Sequence, residues 1–291
     1  MPLIFAFKGG AMKVSRRKWV FFLLAVLLAM PGLAQGEMYI EGYIGGVQGA
    51  NAPMNLATGH PGNLADGTVV QTVELHHISG RFDPAVIGGL KIGTWFVKEG
   101  FLGYNYPDWM KYLGFYLDFS YHRLDLRNQT GRSVSFDNFA GGSTPTSNQF
   151  FSEGTAATLA FMFAGRYGFL PDSEVPFGRL QPYVAVGPAI LFSSQDPRLS
   201  SSSIFTDTGQ VNPYNIKPGS ESAVNIALAV DAGIRWMCLK NVSVDLSFKY
   251  RFAEPSFNYR YTDPLDGTRQ SFSLNPTYHL FSGQLGAAYH F

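Results

Sequence analysis

Several side chains with catalytic potential occur in this 291-residue chain at every second position of one apolar segment. Asp118, Ser120 and His122 supply an acid, a hydroxyl and an imidazole, which are the groups of a nucleophilic triad. Residues two apart on one extended strand lie side by side, so they lack the crossed geometry that a base and its nucleophile need. His279 and Ser282 are three apart, which places them on opposite faces of a strand. We therefore predict no catalytic residues and no enzymatic activity.

Residues that bind metals, cofactors or nucleic acids also form no recognisable pattern in the sequence. His76 and His77 are adjacent, so an extended segment turns them to opposite sides, and no Cys or third His is close to them. The pair Gly141 and Gly142 lacks the lysine of a phosphate-binding loop. The formal net charge of +1 gives no electrostatic case for nucleic acid. We predict no metal, no cofactor and no nucleic-acid partner, and the single Cys238 excludes an internal disulfide.

Alternation of large apolar residues with small or polar ones dominates the chain after residue 38. In the segment 114–124, for example, Phe119 and Tyr121 point one way, whereas Asp118 and Ser120 point the other way. Eight segments have this period of two: 39–47, 85–96, 114–124, 156–169, 180–192, 223–238, 242–252 and 278–291. They reach the length of about 9 to 11 residues that a tilted strand needs to cross a bilayer. We therefore predict eight membrane-spanning strands with their apolar faces turned to lipid.

A sheet inside a membrane must close on itself, because an open edge would leave backbone N–H and C=O groups unpaired in hydrocarbon. The predicted fold is all-β: an eight-stranded antiparallel, up-and-down transmembrane β-barrel with long extracellular loops and short periplasmic turns. The links between segments alternate in length accordingly, apart from the aromatic link 97–113. Segments 256–261 and 269–274 flank a turn signal, which predicts a hairpin in the last loop. Segment 68–78 also has strand character, so ten strands remain an alternative.

The amino-terminal segment has the pattern of a cleaved export signal. Four basic residues precede an unbroken apolar run at 19–30, which is too short for a stable membrane anchor. Small residues before the break predict cleavage after Ala34. We predict that residues 1–34 are a signal peptide, that Met12 is the true start of translation, and that 35–291 form one barrel domain.

Charged residues on the inward faces of the predicted barrel include both signs in similar number. The predicted lumen network consists of Glu41, Lys91, Asp118, His122, Arg166, Asp231, Arg235, Asp245, Lys249 and Arg251. In a narrow barrel such residues pair into a polar plug, since an unpaired buried charge is costly. An ion-conducting path is the alternative that the sequence leaves open.

Aromatic residues concentrate near the predicted periplasmic ends of the strands, as in the aromatic belt of a membrane protein. The predicted belt consists of Trp95, Phe101, Tyr104, Tyr106, Trp109, Tyr112, Tyr167, Phe169, Phe177, Trp236, Tyr289 and Phe291. Cys238 is predicted on the lipid-facing side near the same end.

Three stretches carry a resemblance to a known family. They are LQPYVAVGP from Leu180, AGIRW followed by VSVD between 232 and 245, and the terminal LGAAYHF that ends at Phe291. With these stretches, the chain after the signal resembles the small Gram-negative outer-membrane β-barrels of the OmpA/OmpX and opacity-protein type, also called the porin family. The resemblance implies a cell outer membrane location, with outer-membrane lipid, lipopolysaccharide, the outer-membrane assembly machinery and periplasmic chaperones as partners. It also implies a C-terminal assembly signal at Leu285, Ala287, Tyr289 and Phe291.

Two functions fit this resemblance, because the fold alone does not decide the task. The first is a structural or surface-interaction role in envelope integrity, adhesion or ligand contact through the polar loops at 128–152 and 193–222. The alternative is a small diffusion channel or hydrophobic conduit, which the charged lumen permits. We predict the first function, because the long polar loops favour it.

Overall fold

The computed structural model describes residues 37–63, 69–97, 106–137, 143–204, 211–262 and 269–291. The predicted signal peptide and its cleavage site lie outside these residues. Within the described ranges, no helix has both the length and the apolar character needed to cross a membrane. A short 3₁₀ helix at Asp108–Tyr112 lies in the connection between the fourth and fifth strands.

Fourteen β-strands make up most of the described chain. They are β1 (Glu37–Gly49), β2 (Met54–Asn63), β3 (Val69–Ile78), β4 (Ala85–Trp95), β5 (Leu113–Arg123), β6 (Leu126–Asp137), β7 (Ser143–Arg166), β8 (Leu180–Ile204), β9 (Val211–Ile216), β10 (Glu221–Leu239), β11 (Val242–Ala253), β12 (Phe257–Thr262), β13 (Arg269–Leu274) and β14 (Tyr278–His290). Eight of these strands contain or closely match the predicted spans. The largest differences are that β7 begins at 143 instead of 156 and that β8 ends at 204 instead of 192.

Eight strands close into one antiparallel barrel. The order around the wall is β1, β4, β5, β7, β8, β10, β11 and β14, and β14 then pairs with β1. The closing contact runs from Tyr39 opposite His290 to Gly49 opposite Leu280. Every wall strand therefore has two neighbours, and the predicted eight-stranded barrel is confirmed. The strand predicted at 68–78 exists as β3 but lies outside the wall, so the ten-stranded alternative is wrong.

The outer surface of the wall is apolar and its inner surface is polar, the reverse of the distribution in a soluble protein. On β5, Phe119 and Tyr121 are 52% and 51% exposed, whereas Asp118 and Ser120 are each 2% exposed. The same alternation of buried and exposed residues runs along β11 and β14. An apolar exterior around a polar, charged interior is the distribution that a lipid-facing wall requires. The fold is therefore a transmembrane β-barrel.

Beyond the wall, on the side away from the short turns, the chain continues as folded strands that we call the extracellular extension. It comprises the outer parts of β7 and β8, together with β2, β3, β6, β9 and the hairpin of β12 and β13. β6 pairs with the outer part of β7, and β9 pairs with the end of β8. β2 and β3 form a hairpin that joins this sheet through β6. The predicted hairpin at 256–261 and 269–274 is confirmed as β12 and β13.

An apolar core lies under the hairpin of β12 and β13 at the outer mouth of the barrel. Phe257, Tyr259 and Leu274 are fully buried there. The Tyr259 ring lies 5.0 Å from the ring of Phe272, and its hydroxyl donates to the Gln195 carbonyl at 3.1 Å. Burial of each large apolar side chain contributes roughly 1.5–3 kcal/mol. The hairpin is thus held by its own side chains as a cap on the barrel.

The predicted aromatic belt needs one correction. Trp95 is only 2% exposed and faces the lumen, because it continues the inward set of Lys91 and Gly93 on β4. Phe177 is half-buried beside the Arg166 guanidinium, and Tyr106 is half-buried with its ring 5.3 Å from that of Phe96. The belt residues that are exposed at this end are Trp109, Tyr112, Tyr167, Phe169, Trp236, Tyr289 and Phe291. Cys238 is exposed, and the predicted Phe101 and Tyr104 lie outside the described residues.

If the outer surface of the wall contacts lipid, a charged side chain on that surface should destabilise the barrel most near the middle of the membrane. Leu246 lies near the middle of β11 and is 62% exposed. Leu246→Arg should lower the free energy of unfolding in phospholipid vesicles by about 2–4 kcal/mol, because arginine at the bilayer midplane is poorly solvated. Ser256→Arg, at an exposed position just before the extracellular hairpin, is the matched control and should change it by about 0.5 kcal/mol or less. Urea titrations followed by tryptophan fluorescence measure both values, and equal effects would contradict the assignment.

Candidate functional site

All ten residues of the predicted lumen network lie on inward faces of wall strands and are nearly fully buried. Their contacts divide them into three groups. The periplasmic group contains Arg166, the central group contains Glu41, Lys91, Asp231, Arg235 and Asp245, and the upper group contains Asp118, His122, Lys249 and Arg251. The structure thus gathers these side chains into one interior column, which we call the lumen network.

The periplasmic group closes the lower end of the barrel. The Arg166 guanidinium forms an ion pair with the Glu37 carboxylate, and it donates to the Gln181 side-chain oxygen at 3.0 Å. The guanidinium carbon lies 4.1 Å from the centroid of the Trp95 ring and 4.2 Å from that of Phe177. Stacking on two rings and pairing with a carboxylate are the contacts that a buried guanidinium favours.

The central group ties opposite walls together. The ammonium nitrogen of Lys91 on β4 lies 3.1 Å from Glu41, 3.3 Å from Asp231 and 3.8 Å from Asp245. Arg235 on β10 reaches the Glu41 carboxylate on β1 at 2.6 Å and the Asp245 carboxylate on β11 at 3.5 Å. Two cations therefore share three carboxylates, and these bonds cross the interior from β4 and β1 to β10 and β11.

Three tyrosines complete the coordination of these carboxylates. Tyr116 donates to Asp231 at 2.9 Å and Tyr183 donates to Asp245 at 2.8 Å. Tyr43 donates to the Asp118 carboxylate of the upper group at 2.6 Å. The predicted network did not include the tyrosines or Glu37, although all four residues share the inward parity of their strands. Inward-facing residues alternate along β1, so continuing this alternation two residues before Tyr39 identifies Glu37 as inward-facing as well.

The upper group contains two cations in different surroundings. The Lys249 ammonium forms an ion pair with the Asp118 carboxylate. One Arg251 nitrogen donates to the hydroxyl of Ser120 at 3.0 Å and to that of Thr158 at 3.4 Å. Lys249 is therefore neutralised by a carboxylate, whereas the side-chain hydrogen bonds of Arg251 within the described ranges go only to hydroxyl groups.

The acid, hydroxyl and imidazole on β5 do not form a triad. The Asp118 carboxylate is bound by Lys249, and the Ser120 hydroxyl is bound by Arg251. The Nδ1 atom of His122 lies 2.8 Å from the backbone carbonyl of Arg123. Each of the three side chains is thus engaged by a different partner. A base and a nucleophile in catalytic contact are not present at this place.

Charge balance explains how so many ionised groups can be buried together. With Glu37 included, the network holds the acids Glu37, Glu41, Asp118, Asp231 and Asp245 and the bases Lys91, Arg166, Arg235, Lys249 and Arg251. Removing a single buried partner is expensive, because it leaves the other charge uncompensated. The network therefore fills the interior with paired charges and cross-links the wall strands.

The surroundings of two titratable groups outside the membrane, Tyr259 and Asp172, shift their pKa values. Burial under the hairpin raises the pKa of the Tyr259 hydroxyl, so this phenol stays protonated and donates its hydrogen bond. In the turn between β7 and β8, the backbone N–H of Val175 and the Arg179 guanidinium hold the pKa of Asp172 below its usual range. Both groups fix local geometry at the two ends of the barrel.

The described residues contain no group of three or more His, Cys, Asp and Glu side chains that could hold a metal ion. His76 is buried, and its ring bonds to the Thr58 hydroxyl at 3.0 Å and to the Asn148 side chain. His77 is exposed and bonds to the Asn55 side chain at 2.5 Å. The two neighbouring histidines thus face opposite sides of β3.

No family model and no curated protein matches the chain. Among solved structures, the chain is similar to the outer membrane protein OprG from Pseudomonas aeruginosa, at 12% identity and a TM-score of 0.43, over 88% of this chain and 96% of that one. It is also similar to a major outer membrane protein from Thermus thermophilus (13%, 0.40, 88% and 99%) and to the outer membrane protease OmpT from Escherichia coli (11%, 0.34, 89% and 98%). By its own strand number, closure and apolar exterior, the chain has the architecture of the small outer-membrane β-barrels of the OmpA/OmpX type.

The buried ion pair between Lys249 and Asp118 predicts strong coupling between the two side chains. Lys249→Met should lower the free energy of unfolding by about 3–5 kcal/mol, because Asp118 is then charged and unpaired in the interior. Most of this loss should disappear in the double variant Lys249→Met/Asp118→Leu, since both charges are gone. Urea titration in vesicles measures both values. The exposed pair Arg127 and Asp83 is the matched control, and its removal should have little effect.

An equal loss of stability in the single and double variants of the lumen pair would contradict the buried contact.

Proposed function

We propose that the protein is an outer-membrane β-barrel with a structural or surface-interaction role, and that the extracellular extension carries this role in envelope integrity, adhesion or ligand contact. One observation carries the proposal. Ion pairs cross the interior of the barrel, while the wall strands continue outward as a folded sheet with an apolar core. On this proposal the protein has no catalytic activity.

The contacts of the lumen network argue against a path through the barrel. Lys91 reaches from β4 to Asp231 on β10, and Arg235 reaches from β10 to Glu41 on β1. A permeating ion would have to break these pairs, and breaking a buried pair costs about 3–5 kcal/mol. An eight-stranded barrel also has an interior that side chains can just fill. A small diffusion channel or hydrophobic conduit is therefore the weaker alternative.

The order of the extracellular extension supports a role in contact with other molecules. A folded surface loses less conformational entropy on binding than a mobile loop does. At the base of the extension, a cleft of 320 Å³ is lined by Asp83, Arg123, Asp125, Arg127 and Glu153. Its pairs Arg123–Asp125 and Arg127–Asp83, at 2.8 Å and 3.1 Å, are partly solvent-exposed. Exposed pairs are weak, so these charges can exchange partners with a charged ligand.

The export route follows from the same proposal. The predicted signal peptide directs the chain across the inner membrane, and periplasmic chaperones then keep the unfolded strands from aggregating. The assembly machinery would read the C-terminal strand, whose apolar side chains Leu285, Tyr289 and Phe291 lie on the exposed outer face of the barrel. Outer-membrane lipid and lipopolysaccharide are the proposed surroundings of the wall.

Single-channel recording tests the closed interior. The refolded protein, inserted into a planar bilayer, should give no steady current, because the cross-barrel pairs block the lumen. Insertion is checked independently in vesicles of the same lipid, in which the wall strands should be protected from added protease. Steady steps of nanosiemens size from the inserted protein would contradict the proposal and support the diffusion channel.

Deletion of part of the extension tests the surface role. The variant replaces residues 199–216 with a short Gly-Ser turn, which removes the pairing of β8 with β9 and leaves the wall intact. Aggregation of cells that display the protein, and binding of purified lipopolysaccharide to the refolded protein, are measured. Both should be lost in this variant and retained after insertion of a Gly-Ser pair after Lys240, in the turn between β10 and β11 at the opposite end of the barrel. Retention in the first variant, or absence from the unaltered protein, would contradict the proposal.

A further inference from the structure

Arg251 differs from every other cation of the lumen network. Lys91, Arg166, Arg235 and Lys249 each have a carboxylate oxygen within 4.0 Å. Arg251 is 2% exposed, and among the described residues no carboxylate lies within that distance of its guanidinium. All five acids of the network already contact one of the other four cations.

The guanidinium of Arg251 also has unused hydrogen-bond donors. One nitrogen, Nη1, is bound to the hydroxyls of Ser120 and Thr158. Its Nε and Nη2 atoms are buried and have no hydrogen-bond partner among the described side chains and backbone. The two hydroxyls accept from Arg251, so each still has its own O–H to donate. The N–H groups of Nε and Nη2, which belong to a fixed positive charge, and the hydroxyl hydrogens of Ser120 and Thr158 are therefore available as donors in this buried part of the lumen.

Proton release cannot relieve this charge. Arginine stays protonated in proteins, whereas a buried lysine or histidine can become neutral. Leaving two of its nitrogen donors, Nε and Nη2, without a partner costs about 1–3 kcal/mol each, and more because the group is charged. A group that compensates these donors must accept hydrogen bonds, and a negatively charged acceptor binds a guanidinium more strongly than a neutral one does.

Nearby His122 does not supply that group. Its Nδ1 lies against the Arg123 carbonyl, which requires the proton on Nδ1 and leaves Nε2 as an acceptor. Nε2 is also buried without a partner among the described residues. A neutral imidazole in this tautomer offers no negative charge, and its free lone pair can accept only from a donor such as water.

We propose that Arg251, with the hydroxyls of Ser120 and Thr158, forms a binding site for a small monovalent inorganic anion such as chloride. Several inward positions on neighbouring strands are small, namely Ala156, Ala189, Ala227 and Ala229. The larger side chains Leu280, opposite Arg251 on β14, and Leu191, opposite Thr158 on β8, are also buried. A polyatomic anion such as phosphate needs more donors than this place offers, whereas a halide is satisfied by four.

The site is independent of the proposed surface role, because it needs neither the extracellular extension nor an open lumen. Water is the competing occupant, since it also accepts hydrogen bonds from Nε and Nη2. Water compensates no charge, so only an anion makes the stability of the barrel depend on halide concentration.

The test combines a bromide soak with unfolding measurements on the full chain. Crystals of the refolded protein soaked in bromide should have an anomalous peak beside Arg251. The urea midpoint in vesicles should be higher in sodium chloride than in sodium gluconate at equal ionic strength. Arg251→Met should lose both the peak and the chloride shift. Arg166→Met is the matched control, because its guanidinium is paired with Glu37, and it should keep the full chloride shift.

Equal midpoints in the two salts would overturn the proposal, whether or not bromide is seen. A bromide peak without a chloride shift would mean an adventitious ion only. A chloride shift that persists in Arg251→Met would place the effect elsewhere on the protein and would also overturn it. Arg251→Lys keeps the charge, so it should retain part of the shift if the methionine variant folds poorly.

Discussion

The pairing of β1 with β14 is the constraint on which the rest of the structure depends. Backbone groups left unpaired in hydrocarbon cost several kcal/mol each, so the wall is stable in a membrane only when its first and last strands meet. Once the wall is closed, the alternation of side chains along each strand decides whether a wall residue faces lipid or the interior. Apolar side chains face lipid, and each polar side chain of opposite parity is confined to a narrow interior.

That confinement explains the lumen network. The interior is too small for ionised groups to remain hydrated separately, so they compensate one another across the barrel, as Lys91 does for Asp231. The bonds cross-link strands that are far apart in the chain and make the wall rigid. A rigid, filled wall can support a folded extension outside the membrane, which is where we place contact with other molecules. On the proposed function, the interior and the extension have separate tasks.

Much of this architecture was predictable from the sequence. Lipid on one face and a polar interior on the other impose a period of two, and this period located β5 at 114–124 against the observed Leu113–Arg123. Outside the membrane the constraint is weaker, so the outer part of β7 was predicted as loop. Trp95 was placed by residue type in the belt, although its parity puts it inside. Parity also says which charges are interior, but their pairing depends on strand tilt and on distances across the barrel. The unpaired state of Arg251 was therefore not predictable.

The central claim is that hydrocarbon surrounds the apolar faces of the wall. It is tested most directly by nitroxide labels placed singly at positions 117–122 of β5, in protein carrying Cys238→Ser and reconstituted in vesicles. The collision rate of each label with dissolved oxygen, which concentrates in the bilayer, is measured by electron paramagnetic resonance. The account predicts maxima at 117, 119 and 121. Maxima at 118, 120 and 122, or no alternation, would contradict it.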